Sequence, residues 1–182
     1  MPSEIDAAKK GREQLFAEQF LEARTEAIGQ ALYVLAADES PDFICTDDRG
    51  ESIGLEIAQV THGPIAAHWA AVLDGQNEIP PFDAQALIYN LLQRKEKARQ
   101  ERYSRKVAEC ILLLVLAENS IPNLRVALDG LEDDFSEHGF SEVWLMDTTE
   151  HDAYRTVELF CLSPAAHWGY YRRPNAGSKP YG

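Results

Sequence analysis

The sequence is poor in the residues that build disulfide frameworks and structural metal sites. It has three cysteines and five histidines among 182 residues. Cys45, Cys110 and Cys161 lie far apart in apolar stretches and form no C-x-x-C pair, and the histidines show no metal-ligand spacing. A disulfide scaffold or zinc site is therefore not expected. The three thiols are predicted to be reduced and to pack as small apolar side chains.

Long apolar runs and glycine-rich nucleotide loops are also missing. No stretch approaches the ~18 consecutive apolar residues of a membrane span, and the polar N-terminus lacks the apolar core of a secretory signal. The glycine patterns of phosphate-binding loops, dinucleotide sites and serine-hydrolase elbows do not occur. These absences predict a cytoplasmic protein without membrane contact and without a nucleotide cofactor.

The chain has few basic residues, 17 Lys or Arg against 30 Asp or Glu, and they are unevenly distributed along it. The formal net charge is −13, which disfavours a non-specific nucleic-acid coat. Residues 94–106 nevertheless hold seven Lys or Arg and two Glu, a local balance of +5, so that the other residues sum to −18. This polarity of charge is the first indication of a function.

Apolar periodicity and turn residues predict an α/β domain. The unbroken apolar run 110–117 is typical of a strand buried on both faces, with helices on each side of the sheet. Residues 31–37 fit either the end of the first helix or a short strand, and 65–73 fit a short helix. The predicted helices are 4–37, 84–107 (capped by Asp83) and 123–138, and the predicted strands are 42–46, 53–61, 110–117, 142–147 and 156–162.

This order of elements predicts a three-layer α/β/α fold with a central mixed sheet, in a single domain over residues 1–163. Residues 164–182 are rich in glycine, proline and basic side chains, and they predict a flexible tail whose aromatics could dock on the domain or on a second subunit. Residues 47–50 (DDRG) have the chemistry of a turn, which makes 42–61 a β-hairpin.

Two acidic residues in this hairpin are the strongest candidates for chemistry. Asp42 begins one strand, and Glu56 lies among apolar neighbours in the other. A carboxylate in an apolar strand is costly to bury, and two such groups brought together raise each other's pKa or bind a divalent cation. The simpler interpretation, that Glu56 points to solvent or meets an arginine, stays open.

The order of an acid, a hairpin, a second acid, a lysine-bearing helix and an apolar strand resembles the PD-(D/E)XK nuclease superfamily. The matching pieces are Pro41-Asp42, the strand 54–58, the helix that carries Lys95 and the strand 111–116. The resemblance implies a restriction-endonuclease-like fold and Mg²⁺- or Mn²⁺-dependent hydrolysis of DNA phosphodiester bonds. It also implies that Asp42 and Glu56 are catalytic metal ligands, with the Ile57 carbonyl as a third.

The chain departs from the family pattern at one position. Ala58 stands where the catalytic lysine is usual, two residues after Glu56. Lys95, on the following helix, is the candidate replacement, because it continues the apolar stripe of that helix toward the carboxylates.

Arg99, Arg102 and Lys106 follow Lys95 on the same side of the helix and are predicted to contact phosphates, unless this end is merely solvated. Gln59 is expected on the opposite face of its strand from Glu56, and Glu26 is a weaker candidate ligand.

The missing lysine leaves a second function open. The alternative is a module that has kept the nuclease fold, has lost catalysis and binds a protein partner. In that case Glu56 is expected to be neutralised by a Lys or Arg in place of a metal. A homodimer is compatible with the nuclease function, because cutting both strands of a duplex requires two sites.

Overall fold

The described part of the computed structural model comprises residues 4–61, 80–103, 106–117, 119–131, 135–148 and 156–174. It forms three α-helices and one sheet of seven strands. No helix in these ranges is long and apolar enough to cross a membrane. The helices are α1 (Glu4–Ile28), α2 (Pro81–Glu101) and α3 (Ile121–Leu128). The strands are β1 (Leu32–Ala37), β2 (Phe43–Asp47), β3 (Ser52–Val60), β4 (Glu109–Leu116), β5 (Glu142–Asp147), β6 (Thr156–Ser163) and β7 (Gly169–Pro174).

The strands lie in the sheet in the order in which they follow one another in the chain. β3, β4 and β5 are parallel, and the pairs β1–β2, β2–β3, β5–β6 and β6–β7 are antiparallel. The sheet is therefore mixed, with a parallel centre. Residues 110–116 of β4 are all buried, as the apolar run predicts for the central strand.

Alternate residues of the strands feed two separate apolar clusters, one on each face of the sheet. One cluster contains Phe20 of α1 with Leu55, Ile111 and Trp144. The other contains Leu92 of α2 and residues of α3, together with the intervening strand residues. The predicted three-layer α/β/α arrangement and mixed sheet are thus confirmed.

Local chemistry explains where α1 ends and the first hairpin turns. Gly29 has a left-handed φ of 72°, and its N–H donates to the Thr25 carbonyl, which is a common helix C-terminus. The alternative of a strand at 31–37 is therefore the correct one. In the hairpin, Asp47 Oδ1 accepts hydrogen bonds from the N–H groups of Arg49 (2.9 Å) and Glu51 (2.8 Å), as its turn chemistry predicts.

Two predicted helices have different bounds in the structure. α2 begins at Pro81, so Asp83 lies in its first turn and is not its cap. α3 covers only Ile121–Leu128, because Gly130 takes a left-handed φ of 81° shortly after it. Its N-terminus receives a cap from outside the helix, since Asp147 Oδ2 accepts a hydrogen bond from the N–H of Ile121 at 3.0 Å.

The prediction of a flexible tail from residue 164 is wrong for residues 164–174. β7 pairs with β6 from Cys161↔Gly169 to Thr156↔Pro174 and is the last strand of the sheet on that side. Aromatic contacts attach the segment to the core: Trp168 packs edge-on against Phe160 at 5.1 Å, and Tyr171 lies 5.8 Å from Trp144. Residues 175–182 and the possible helix 65–73 lie outside the described residues.

The three cysteines are free and buried, in agreement with the prediction of reduced thiols that pack as small apolar groups. Burial raises the pKa of each thiol, to about 11 for Cys45 and about 12 for Cys110 and Cys161. At neutral pH they are therefore protonated and unreactive.

We predict that Gly54→Ala destabilises the fold by about 1–3 kcal/mol, through overpacking. A Cβ at this position in β3 would lie 2.8 Å from Pro41 Cγ and 2.9 Å from Val107 Cγ2. Urea unfolding measures the change in the free energy of unfolding. Gly11→Ala is the matched control: its Cβ meets nothing within 4 Å, and in helix α1 it should stabilise by roughly 0.5–1 kcal/mol. Equal stability of the two variants would contradict the close packing around Gly54.

Candidate active site

The candidate site lies where β2 and β3 separate. The two strands pair only between Thr46↔Ser52 and Phe43↔Leu55, whereas β3 continues to Val60. Asp42 directly precedes β2, and its Oδ2 accepts a hydrogen bond from the N–H of Ile57 at 2.7 Å. A side chain thus takes over the backbone pairing that the end of β2 no longer supplies.

The same pairing orients the Ile57 carbonyl. In a β-strand the N–H and C=O of one residue point to the same side, toward the same neighbouring strand. Because the N–H of Ile57 points to Asp42, its carbonyl is directed to this edge of β3 as well. This backbone geometry is consistent with the predicted role of the Ile57 carbonyl as a metal ligand beside Asp42.

Glu56 projects from the face of β3 that packs against α2. Its neighbours Leu55 and Ile57 belong to the α1-side cluster, whereas Ala58 and Val60 belong to the α2-side cluster. The Glu56 side chain is 4% exposed, and its Oε1 accepts a close hydrogen bond from the Lys95 ammonium. Its Oε2 is buried and has no hydrogen-bond partner of good geometry among the described residues.

Lys95 reaches this position because of helix periodicity. The buried residues of α2 are Ala84, Ile88, Leu91 and Leu92, and Lys95 follows one turn later on the same stripe. Its side chain is 26% exposed, so that the aliphatic part is largely covered while the ammonium meets the carboxylate. The structure therefore brings Glu56 and Lys95 into contact, as the sequence predicts.

The site is electrostatically coupled. Burial, together with the nearby charge of Glu56, raises the pKa of Asp42 to about 6, and Glu13 adds a smaller effect in the same direction. The hydrogen bond from Ile57 and the charge of Lys95 act against this increase. Tyr103 is buried beside the pair, and burial followed by the Glu56 charge raises its pKa as well. Asp42 is thus poised to gain or lose a proton near pH 6.

A cavity of about 440 Å³ opens onto the site. Asp42, Ile57, Gln59 and Lys95 line one side of it, and Lys9, Arg12, Glu13 and other residues of α1 line the opposite side. A second cavity of about 460 Å³ shares Asp42, Lys9 and Glu13 with the first. Asp42 therefore stands at the junction of two cavities that α1 covers.

Helix α1 is the part of the site that sequence reasoning missed. The sequence pattern points to Glu26 on this helix, but Glu26 lines two other cavities, one beside Tyr170 and one beside Tyr33. Glu13 and Arg12 lie nearly four turns earlier and line a cavity together with Asp42. The signal that was available is the basic and acidic cluster KKGRE at residues 9–13, close to a predicted apolar helix face.

The basic residues that follow Lys95 are placed differently from one another. Arg99 donates to both carboxylate oxygens of Glu96 at 2.8 Å and lies over the Phe140 ring. Lys106 pairs with Asp38 at 2.6 Å, and Arg102 is exposed just beyond the end of α2. The residues that line the two cavities at Asp42 do not include these three cations, although Lys106 pairs with Asp38, which lines the second cavity. Their contact with phosphates stays a prediction.

The donor atoms fit a hard divalent cation. Two carboxylates and a carbonyl offer only oxygen, and Mg²⁺ takes one or two carboxylates together with waters and phosphate. The buried Oε2 of Glu56 is an acceptor that such a cation would satisfy. No cluster of three or more His, Cys, Asp or Glu side chains suited to a metal occurs in the described ranges.

Comparisons of the chain with protein-family models, with curated proteins and with solved structures gave no match. The function is therefore inferred from the chemistry of these residues.

We predict that Asp42→Asn stabilises the metal-free protein at high pH. The folded-state pKa of Asp42, about 6, lies above its ordinary 3.8, so folding favours the protonated form. The wild type keeps its full stability below pH ~4 and loses of the order of 2–3 kcal/mol as pH rises through about 6. The asparagine carries no charge to desolvate and can still accept the hydrogen bond from Ile57.

Urea unfolding in EDTA at pH 4 and pH 8 measures this difference. The variant should match the wild type at pH 4 and exceed it at pH 8. Asp48→Asn, at an exposed turn position, should show no such divergence. Parallel pH profiles of wild type and Asp42→Asn would contradict the coupling of Asp42 to its surroundings.

Proposed function

We propose that this protein is a Mg²⁺-dependent endonuclease that hydrolyses DNA phosphodiester bonds and has a restriction-endonuclease-like arrangement of its sheet. The observation that carries the proposal is the grouping of three polar side chains around β3, where β2 stops pairing with it, inside an apolar domain. Asp42 holds the backbone of β3 beside Ile57, Glu56 is buried next to it, and Lys95 donates to Glu56. An unsatisfied carboxylate oxygen in such a place costs stability, which is typical of functional sites.

In this proposal Asp42, Glu56 and the Ile57 carbonyl hold the cation. The bound metal would supply an activated water and positive charge for the phosphoryl group. Asp42 and Ile57 line the cavity with Lys95, so that a phosphate seated there is within reach of all three. The Lys95 ammonium would orient the attacking water and stabilise the negative charge of the phosphate in the transition state.

Supply of the lysine from a helix is compatible with Ala58 in β3. Residue 58 and Glu56 share the α2 face of the strand, so a lysine at position 58 would point to the same side as Lys95 does. The ammonium group therefore approaches Glu56 from the side on which the usual residue would stand. A homodimer that cuts both strands of a duplex remains a prediction of the proposal.

One observation favours a second candidate function, an inactive nuclease-fold module that binds a protein partner. Lys95 already neutralises Glu56, as expected if an ammonium has replaced the metal. The net charge of −13 would suit a basic partner. The two functions differ in whether a divalent cation binds at Asp42 and Glu56.

We predict that Mn²⁺ binds the wild type at one site and supports cleavage of DNA. Calorimetric titration should give a one-site isotherm that is lost in Glu56→Gln, and Asp42→Ala should abolish cleavage, because each change removes a ligand. Asp47→Asn changes a carboxylate of the hairpin turn and is the control for net charge. Absence of metal binding in the wild type would favour the inactive module, and metal binding without cleavage of any nucleic acid would exclude the nuclease.

We predict that Lys95→Met lowers the cleavage rate by about 100-fold or more while metal binding is retained or strengthened. The ammonium contributes to catalysis, yet it also competes with the cation for Glu56. Without metal, the variant should lose roughly 3 kcal/mol of stability, because it leaves a buried carboxylate uncompensated.

Adding Glu56→Gln to Lys95→Met should restore much of that stability. Lys97→Met, on the exposed side of α2, is the matched control for loss of a lysine from this helix. Cleavage at the wild-type rate in Lys95→Met would remove Lys95 from the mechanism.

A further inference from the structure

Two of the three cations that line the cavity at Asp42, Lys9 and Arg12, belong to α1, and the third is Lys95 of α2. Of the basic residues that follow Lys95, Arg99 on α2 is held by Glu96, and Lys106, beyond the end of α2, is held by Asp38. Lys9 and Arg12 line the cavity that contains Asp42 and Lys95, while Lys9 and Lys10 line the adjoining cavity. The adjoining cavity is also lined by the carboxylates of Glu13, Asp38, Glu39 and Asp42.

Arg12 and Lys10 are the cations of this group that form no ion pair among the described residues, and of the two it is Arg12 that lines the cavity with Lys95. Lys9 forms an ion pair with Glu13 at 3.4 Å, one turn along the helix, and Lys95 is held by Glu56. Arg12 is exposed and forms no ion pair or hydrogen bond within the part of the chain that the structure describes. Its guanidinium is free to bind a ligand without breaking an existing contact.

The Arg12 guanidinium suits a phosphate group, in a cavity where the cations Lys9, Arg12 and Lys95 lie beside the carboxylates of Glu13 and Asp42. Arginine offers a planar fork of N–H donors that matches phosphate oxygens in pairs. The opposite wall carries Asp42 and Lys95, where the scissile phosphate would lie in the proposed function. The chain as a whole has a net charge of −13, so a polyanion depends on local cations for its affinity.

We infer that Arg12, assisted by Lys9 and Lys10, binds the sugar–phosphate backbone of a nucleic-acid strand beside the phosphate at Asp42. The strand then lies along α1 and passes Asp42 where the two cavities meet. This inference rests on the proposed function and assigns its substrate contacts to α1 instead of the basic end of α2. It involves phosphate contacts alone and no reading of bases.

Binding of a fluorescein-labelled DNA oligonucleotide, single-stranded and duplex, tests the inference in EDTA, where cleavage cannot occur. Fluorescence anisotropy of the full chain should show that Arg12→Glu weakens binding about tenfold or more and lowers the salt dependence by about one phosphate contact. Arg12→Lys should keep part of the affinity. Arg49→Glu changes net charge equally, at the exposed turn at the far end of β2, and should have an effect below about twofold.

Arg102→Glu is the competing variant. A larger loss with Arg102→Glu than with Arg12→Glu would overturn the inference in favour of the α2 end, and equal losses with Arg12→Glu and Arg49→Glu would overturn it in favour of non-specific charge. Wild type that binds no oligonucleotide would overturn it as well.

Failure of the inference and failure of the proposed function can be told apart. If the inference alone is wrong, Arg12→Glu binds Mn²⁺ and cleaves DNA as the wild type does. If the nuclease function alone is wrong, Mn²⁺ does not bind, while oligonucleotide binding still responds to Arg12→Glu. Circular dichroism of each variant verifies folding, which the exposed position of Arg12 favours.

Discussion

On the side that faces β2, the centre of β3 is held by a side chain instead of a strand. β2 stops pairing at Leu55, and Asp42 accepts the hydrogen bond of the next N–H on that side, that of Ile57. This one contact keeps a carboxylate at the sheet edge, turns the Ile57 carbonyl toward the same place and leaves room for a cavity. A continuous β2 would have covered all three features, because strand pairing consumes both backbone groups of Ile57.

The second constraint is the charge of Glu56. A carboxylate in the interior of a sheet is tolerated only with a partner, and Lys95 supplies one to a single oxygen. The remaining oxygen, which has no hydrogen bond of good geometry among the described residues, and the raised pKa of Asp42 are both costs to the stability of the fold. Both features are those that a bound cation would relieve. The proposed metal centre and the electrostatic cost of the apo site thus have the same physical origin.

Charge also separates the two helices that flank the site. The basic end of α2 looks suited to nucleic acid in the sequence, yet much of its charge is used within the fold: Arg99 meets Glu96, and Lys106 meets Asp38. The N-terminal part of α1 has fewer cations, but Arg12 faces a cavity at the candidate site. Orientation and pairing decide what a cation can bind, and the number of cations in a segment does not.

The sequence by itself determined the elements that depend on neighbours in the chain. The DDRG turn sets the hairpin register that brings Asp42 close to Glu56. The spacing of apolar residues puts Lys95 on the buried stripe of α2. The unbroken apolar run that ends before Ala117 makes β4 the central strand. Only the tertiary structure decided that β7 joins the sheet, that Asp147 caps α3, and that Glu13 and Arg12 face Asp42. Those contacts join residues far apart in the chain across the face or edge of a sheet, and periodicity and turn chemistry carry information only over a few residues.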